Sequence, residues 1–321
     1  MQTHTASSST RLPRQKRPKH KINGWINLDK PYNMTSTQAV GAVKRILSPA
    51  KIGHAGTLDP LATGVLPLAL GEATKTVSYM MDAQKTYHFT IRFGTQTDTD
   101  DAEGSPVRTS DVRPDDETIR AALPAFIGEI SQVPPTYSAI KIQGERAYDL
   151  ARDGQTVTLP PRIVHIARFT LLKRPDADHA DCEVVCGKGT YIRSLARDLS
   201  HMLGTCGHIS ALRRIQVGNF TTDHAISLDD LEKYAIDSDH VSRETWLEPV
   251  ERALDDIPAV LLDHSQAARL RHGNPCLVSP FGFDTASKDD VMHKAFHGSL
   301  FLGLVMRKGR RVTPVRLFNV T

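Results

Sequence analysis

Cysteine is scarce: Cys182, Cys186, Cys206 and Cys276 are the only four in 321 residues. That excludes a disulfide-stapled scaffold and favours a reduced, cytosolic protein. Cys182 and Cys186 alternate on one face of a strand-like run, too far apart for a zinc knuckle, and Cys206 with His208 adds no full ligand set, so no metal is expected. Long apolar runs are also missing, since no stretch approaches the roughly 18 residues of a spanning helix, and no membrane association is expected. Two phosphate-binding patterns are absent. Gly71 is followed by Glu72, with Lys75-Thr76 too late for a P-loop, and no G-x-G-x-x-G opens a helix. Acid is absent from residues 1–22, which hold Arg11, Arg14, Lys16, Arg17, Lys19 and Lys21. These cations outnumber the chain's net charge of +4, so the body is slightly acidic and its affinity for a polyanion must come from local patches. Pro13 and Pro18 break an amphipathic transit helix, and residues 1–22 read as a disordered basic arm, phosphate-touching or merely solvated.

What is present is ordinary globular composition, 40% hydrophobic and 24% charged, in a chain long enough for a large core and a small second unit. Strand and helix periodicities are interspersed, which indicates an α+β fold. Gly24–Asp29 reads as a buried strand, and Thr35 or Ser36 caps a helix to about Leu47. Lys85–Gly94 alternates with Tyr87, Phe89, Ile91 and Phe93 inward, leaving Tyr87 half-buried at its start. Asp115–Ile127 reads as a helix, Ile163–Leu172 and Asp181–Gly187 as paired strands, and Ile209–Val217 as a further strand. Between the last two, Thr190 is placed to cap a helix carrying Ile192, Leu195, Leu199 and Leu203 inward.

The stretch Lys51–Gly71, KIGHAGTLDPLATGVLPLALG, reads as one constrained loop. Pro60 keeps Asp59 out of helical backbone, and Gly53, Gly56 and Gly64 let the chain double back. A lone carboxylate so presented suits a nucleophile or base, though an Asp-Pro turn is also ordinary punctuation. Arg193 falls in a first helical turn, where a cation opposes the dipole and calls for an anionic partner. The cluster Asp98, Asp100, Asp101 and Glu103 lacks calcium-loop spacing and reads as a solvated loop. Val133–Val157 interleaves tyrosines with Lys141, Arg146 and Arg152, as suits contact with RNA backbone and bases.

The run GHAGTLDPLATGVLPLALGEATK resembles the active-site motif of the bacterial tRNA pseudouridine synthase B family, and Lys85-Thr86-Tyr87, the stretch K-G-T-Y-I-R ending at Arg193, and Leu212-Arg213-Arg214 resemble its other motifs. Gly187 departs from the serine usual before that lysine. The resemblance is dense over residues 23–235 and thin beyond. It implies a pseudouridine synthase catalytic fold at 23–250 with a central, mostly antiparallel sheet, an RNA-clamping insertion at about 126–157 and a small β-rich PUA-like domain at 257–321. It implies isomerisation of uridine-55 in the T-loop of tRNA, by base flipping, without cofactor, guide RNA or obligate protein partner, by a monomer. By the same resemblance Asp59 is the nucleophile, Arg193 its counter-ion, Tyr87 a catalytic residue that stacks on the uracil, Tyr191 a contact to base or aspartate, Leu212 a wall of the uracil pocket, and His54 the residue that fills the space of the flipped base. Lys30 matches the family's Leu-Asp-Lys-Pro segment as a strand-end lysine, and Arg213 and Arg214 read as structural or phosphate contacts. A guide-dependent synthase subunit and a non-catalytic tRNA-binding protein are the rival readings.

Overall fold

The computed structural model describes residues 19–138, 140–142, 145–148, 158–236, 245–279 and 290–320. Arg11, Arg14, Lys16, Arg17 and Arg152, and with them most of the basic arm and much of the expected clamp, lie outside the described residues. Lys19–Ile22 already belong to the body: His20 bridges to Pro49 and Ile22 is buried.

The alternating run Lys85–Phe93 forms a strand at the middle of a nine-stranded sheet. Seven strands follow the order Gly24–Lys30, Ala62–Leu70, Gly207–Val217, Lys85–Phe93, His179–Cys186, Arg162–Lys173 and Gly128–Gln132, with Ile52–His54 and Phe220–Thr221 paired at the side. All their pairings are antiparallel except one: Leu212, Arg213 and Arg214 run parallel to Ala62, Thr63 and Gly64. Tyr87, Phe89, Ile91 and Phe93 are buried while His88 and Arg92 are exposed, as the period of two requires. Burial of each such side chain contributes roughly 1.5–3 kcal/mol. Tyr87 is buried rather than half-buried, because it is an interior register position with Val184 on one side and Arg214 on the other.

Helices complete the core. Ser36–Leu47 starts at Thr35, whose hydroxyl accepts from Gln38 N while the Gln38 side chain returns to Thr35 N. It buries Ala39, Val43 and Leu47 against Ile26 and Leu28 of the first strand. Ile192–Met202 buries Leu195 and Leu199, but its cap is Tyr191, not Thr190. The Thr190 hydroxyl is turned back to the Gly187 carbonyl, and the Gln132 side chain takes the Tyr191 N–H instead. The expected helix Asp115–Ile127 is α-helical only over Asp116–Ala122, capped by Asp115, and tightens to a 3₁₀ turn at Leu123–Phe126. Pro124 lacks the N–H that an α-helix would use there.

Beyond the large sheet a second, five-stranded sheet runs Ala259–Leu261, Val291–His297, Leu300–Lys308, Arg311–Leu317 and Cys276–Leu277. It has its own core around Val260, Leu270, Ala295, Val305 and Val312. Phe301, Leu304 and Phe318 pack into a cluster shared with Trp25, Val65 and Val217 of the large sheet. Among the described residues no helix is long and apolar enough to cross a membrane.

Candidate active site

The stretch Lys51–Gly71 is not one loop. Ile52–His54 and Ala62–Leu70 are paired strands, and only residues 55–61 between them are irregular. Asp59 therefore sits on a short link whose two ends are fixed in the sheet. Its neighbours are fastened as well. The Ser36 hydroxyl accepts from Leu58 N at 2.8 Å and donates to Leu58 O at 3.1 Å. Lys30, fully buried, donates to Met34 O at 2.6 Å, Pro31 O at 2.9 Å and Pro60 O at 3.3 Å. Burial pulls the Lys30 ammonium down to about 8, and the nearby Asp59 charge opposes that pull.

The anionic partner that the dipole argument demands of Arg193 is Asp59: Arg193 Nε lies 3.0 Å from Asp59 Oδ2. The guanidinium is 6% exposed and the carboxylate 35%, so the acid keeps an open side while its charge is held from behind. Arg193 also lies 3.5 Å from Asp101 Oδ2 and donates to Thr99 O and Tyr137 O, each at 2.9 Å. Every direction of the planar fork is thus used, which sets its orientation toward Asp59.

The acidic cluster is the main departure from expectation. Asp100 and Asp101 are buried, not solvated, because the helix Ile192–Met202 presents Arg193 and Arg197 to them. Arg197 Nη1 reaches Asp100 at 2.9 Å and its Nη2 donates to Val133 O. Burial pushes both carboxyls up; Arg197 opposes it most at Asp100, and the Thr99 hydroxyl, then Arg193, at Asp101.

The remaining expected residues lie on the strands around this centre. Burial raises the Tyr87 phenol, with Arg214 opposing and the Asp59 charge reinforcing, so phenol, guanidinium and carboxylate share one field. His54 stands at the end of its strand with a buried Nδ1 that has no hydrogen-bond partner among the described residues. Burial and then the Arg214 charge lower its pKa. Leu212 is buried opposite Phe89 and, across the parallel pairing, opposite Ala62. Tyr191 exchanges backbone hydrogen bonds with the Gln132 side chain and carries the Arg162 guanidinium 5.5 Å from its ring centre. Asp59 and Arg193 are thereby paired, Tyr87 and His54 both lie in the field of Arg214, and Tyr191 makes its contacts on the side of Gln132.

Sequence reasoning missed Asp101, Ser36 and Arg214. Strand alternation does put Arg214 on the face of Leu212, but nothing local reveals that its guanidinium is buried. A trough of about 510 Å³ crosses the sheet past Tyr32, Thr63, His88, Lys173, Leu212 and Arg213. Asp59, Tyr87 and Arg193 are not in its lining, so the assignment of the site rests on the ion pair and not on that trough. No cluster of three or more His, Cys, Asp or Glu side chains among the described residues is arranged to hold a metal ion.

Residues 44–192 match the family model of the TruB family pseudouridylate synthase N-terminal domain, and 193–255 that of the tRNA pseudouridylate synthase B C-terminal domain. The tRNA pseudouridine synthase B of Caulobacter vibrioides is 49% identical over 304 residues, 94% of this chain and 97% of that protein. Its counterpart from Bradyrhizobium diazoefficiens is 51% identical over 308 residues, 95% of this chain and 88% of that one. Among solved structures, a chain of an H/ACA RNP bound to a substrate RNA containing 2′-deoxyuridine matches with a TM-score of 0.69 and 26% identity, covering 92% of this chain and 85% of that chain. A chain of a Cbf5–Nop10–Gar1 complex matches with a TM-score of 0.68 and 29% identity, covering 92% and 84%.

Proposed function

The chain belongs to the TruB family of tRNA pseudouridine synthases, and on that premise we propose that it isomerises uridine-55 in the T-loop of tRNA with Asp59 as its catalytic carboxylate. The observation that carries this reading is the Asp59–Arg193 pair at 3.0 Å, in which the arginine is enclosed and the carboxylate keeps an open side. The reaction breaks the bond from C1′ to uracil N1, turns the base, and joins C1′ to C5. N1 gains a proton and C5 loses one, so nothing is oxidised or reduced and no cofactor is called for.

In a duplex or stacked loop C1′ is out of reach, so the nucleotide is flipped into the site. Asp59 begins the reaction either by attack at C1′ or by removing a sugar proton, and for both the Arg193 pair holds the carboxylate in place. Tyr87 stacks on the uracil and faces the later loss of the C5 proton, Leu212 closes the apolar side of the pocket, and Tyr191 contacts the base or Asp59. His54 fills the gap the base leaves. Residues 23–250 form the catalytic unit, about 126–157 the clamp on the T arm, 257–321 a PUA-like RNA-binding unit, and the part of the basic arm before Lys19 touches phosphate. The enzyme works as a cytoplasmic monomer without guide RNA.

The test is to incubate the purified chain with an unmodified T-arm stem-loop and assay for pseudouridine. Product at the T-loop uridine without added RNA or protein is expected; none would remove this reading. The likeness to H/ACA particle chains supports a second reading, a guide-dependent subunit. Product only after adding guide RNA and partner proteins would select it.

A further inference from the structure

Arg214 is 1% exposed, among the largest fully buried side chains of the molecule. Its guanidinium has no carboxylate within ion-pair distance among the described residues. Nε donates to Val65 O at 2.7 Å and Nη2 donates to Gly56 O at 3.1 Å, and the Arg214 charge bears on the Tyr87 phenol of the neighbouring strand. Gly56 and Val65 flank the link that carries Asp59, and Tyr87 lies opposite Arg214 in the antiparallel register. Gly64 lies opposite it in the parallel one, at φ +99°, where an added Cβ would stand 2.2 Å from Arg214 O. The backbone here is packed around this one side chain.

A buried cation held only by neutral acceptors is expensive to keep, and a fold that needed only packing would be served as well by an apolar residue of the same volume. The cation makes sense if negative charge arrives beside it. Of Val65 O, Gly56 O and the Tyr87 phenol opposite it, only the phenol can acquire one. Resting on the isomerisation proposed above, we propose that Arg214 is a positioning residue for Tyr87: it aims the phenol at the flipped base, ties that aim to the Asp59 link through Gly56 and Val65, and holds the phenolate when Tyr87 takes the C5 proton. In that step the C5–H electron pair returns to the ring, and the proton passes to the phenolate oxygen and from there to N1, which regenerates the phenolate and leaves Arg214 unchanged. The arrangement divides the labour between two arginines. Arg193 serves the carboxylate that opens the reaction, and Arg214 serves the phenol that closes it.

The experiment compares Arg214→Gln and Arg214→Lys with the wild-type chain on the T-arm stem-loop, together with Tyr87→Phe and the double variant Arg214→Gln/Tyr87→Phe. Wild-type turnover comes first, since its absence would count against the proposed function and not against Arg214. Arg214→Gln is expected to lower kcat about 100-fold while stem-loop affinity changes less than about twofold, and to move the alkaline-rising limb of the kcat–pH profile to higher pH. Arg214→Lys, which keeps the charge, is expected to restore the limb toward wild type. In the Tyr87→Phe background the glutamine substitution is expected to cost little more. Three results would overturn the assignment: kcat within twofold of wild type in the folded Arg214→Gln chain, an equal loss in the presence and absence of the Tyr87 hydroxyl, or an unshifted limb. If Arg214→Gln fails to fold, Arg214→Lys with and without the Tyr87 hydroxyl decides instead: a kcat loss confined to chains that keep the hydroxyl supports the assignment, and an equal loss in both overturns it.

Discussion

The two walls of the Asp59 link handle charge in opposite ways. On the helix side, Arg193 and Arg197 meet Asp59, Asp100, Asp101 and Asp198, and every buried charge there has a partner of opposite sign. On the strand side, Arg214 and Lys30 are enclosed at 1% and 0% exposure and meet only carbonyls, a phenol and the field of Asp59. A paired wall holds a carboxylate in one orientation before substrate arrives. An unpaired wall is held ready for charge that exists only during reaction. The same residue type therefore does different work according to what shares its cavity, and that is a property of the tertiary structure.

Substitutions can break this contrast in order of expected effect. Asp59→Asn removes the one group for which neither wall has a substitute, and turnover of the stem-loop should fall at least about 1,000-fold while gel-shift affinity stays near wild type; substantial residual activity would take Asp59 out of its role. Arg193→Lys keeps a charge but loses the planar fork that spans two carboxylates and two carbonyls, and kcat should fall about 100-fold in single-turnover assays.

On the strand side, Gly64→Ala pushes a methyl to 2.2 Å from Arg214 O at a φ of +99°. It should destabilise the fold by roughly 2–4 kcal/mol, read as a lower midpoint in urea; an unchanged midpoint would mean the parallel seam is softer than its geometry. A subtler test concerns the paired wall. Burial raises the Asp101 carboxyl above its ordinary 3.8, so the folded chain holds that proton more tightly than the unfolded one. Its stabilising contribution is then full below the ordinary value and is lost as pH rises through the folded value. Asp101→Asn should flatten the pH dependence of the urea midpoint across that acid window, and an unaltered slope would show that Asp101 does not titrate there. The smallest expected effect is deletion of residues 1–18, which should reduce stem-loop affinity a few-fold and flatten its salt dependence. An unchanged salt slope would make the arm a spectator.

What was legible follows the same division. Asp59 stood out because Pro60 and the glycines constrain a local link, and Arg193 because a cation in a first helical turn needs an anion; both arguments use neighbours in sequence. The strand Lys85–Phe93 was legible from its period of two. Asp100 and Asp101 were misread as solvated because burial came from Arg193 and Arg197, nearly a hundred residues away, and a short acidic run looks alike in either setting. Thr190 was misread as the cap because the acceptor that matters is supplied by Gln132 from another strand. Arg214 fell between: its face could be read from alternation, whereas its lack of a carboxylate could not.

The one parallel seam of the large sheet among the described residues, Leu212–Arg214 against Ala62–Gly64, has a bearing on how the protein comes into being. An antiparallel hairpin closes from adjacent sequence, but this seam joins segments about 150 positions apart and so waits on slow, long-range closure. During synthesis, the Asp59 link leaves the ribosome long before the strand that walls it. A nascent chain that stops short of Val217 carries the Asp59 link without the strand that lies beside it. The seam therefore closes only after most of the polypeptide has been made.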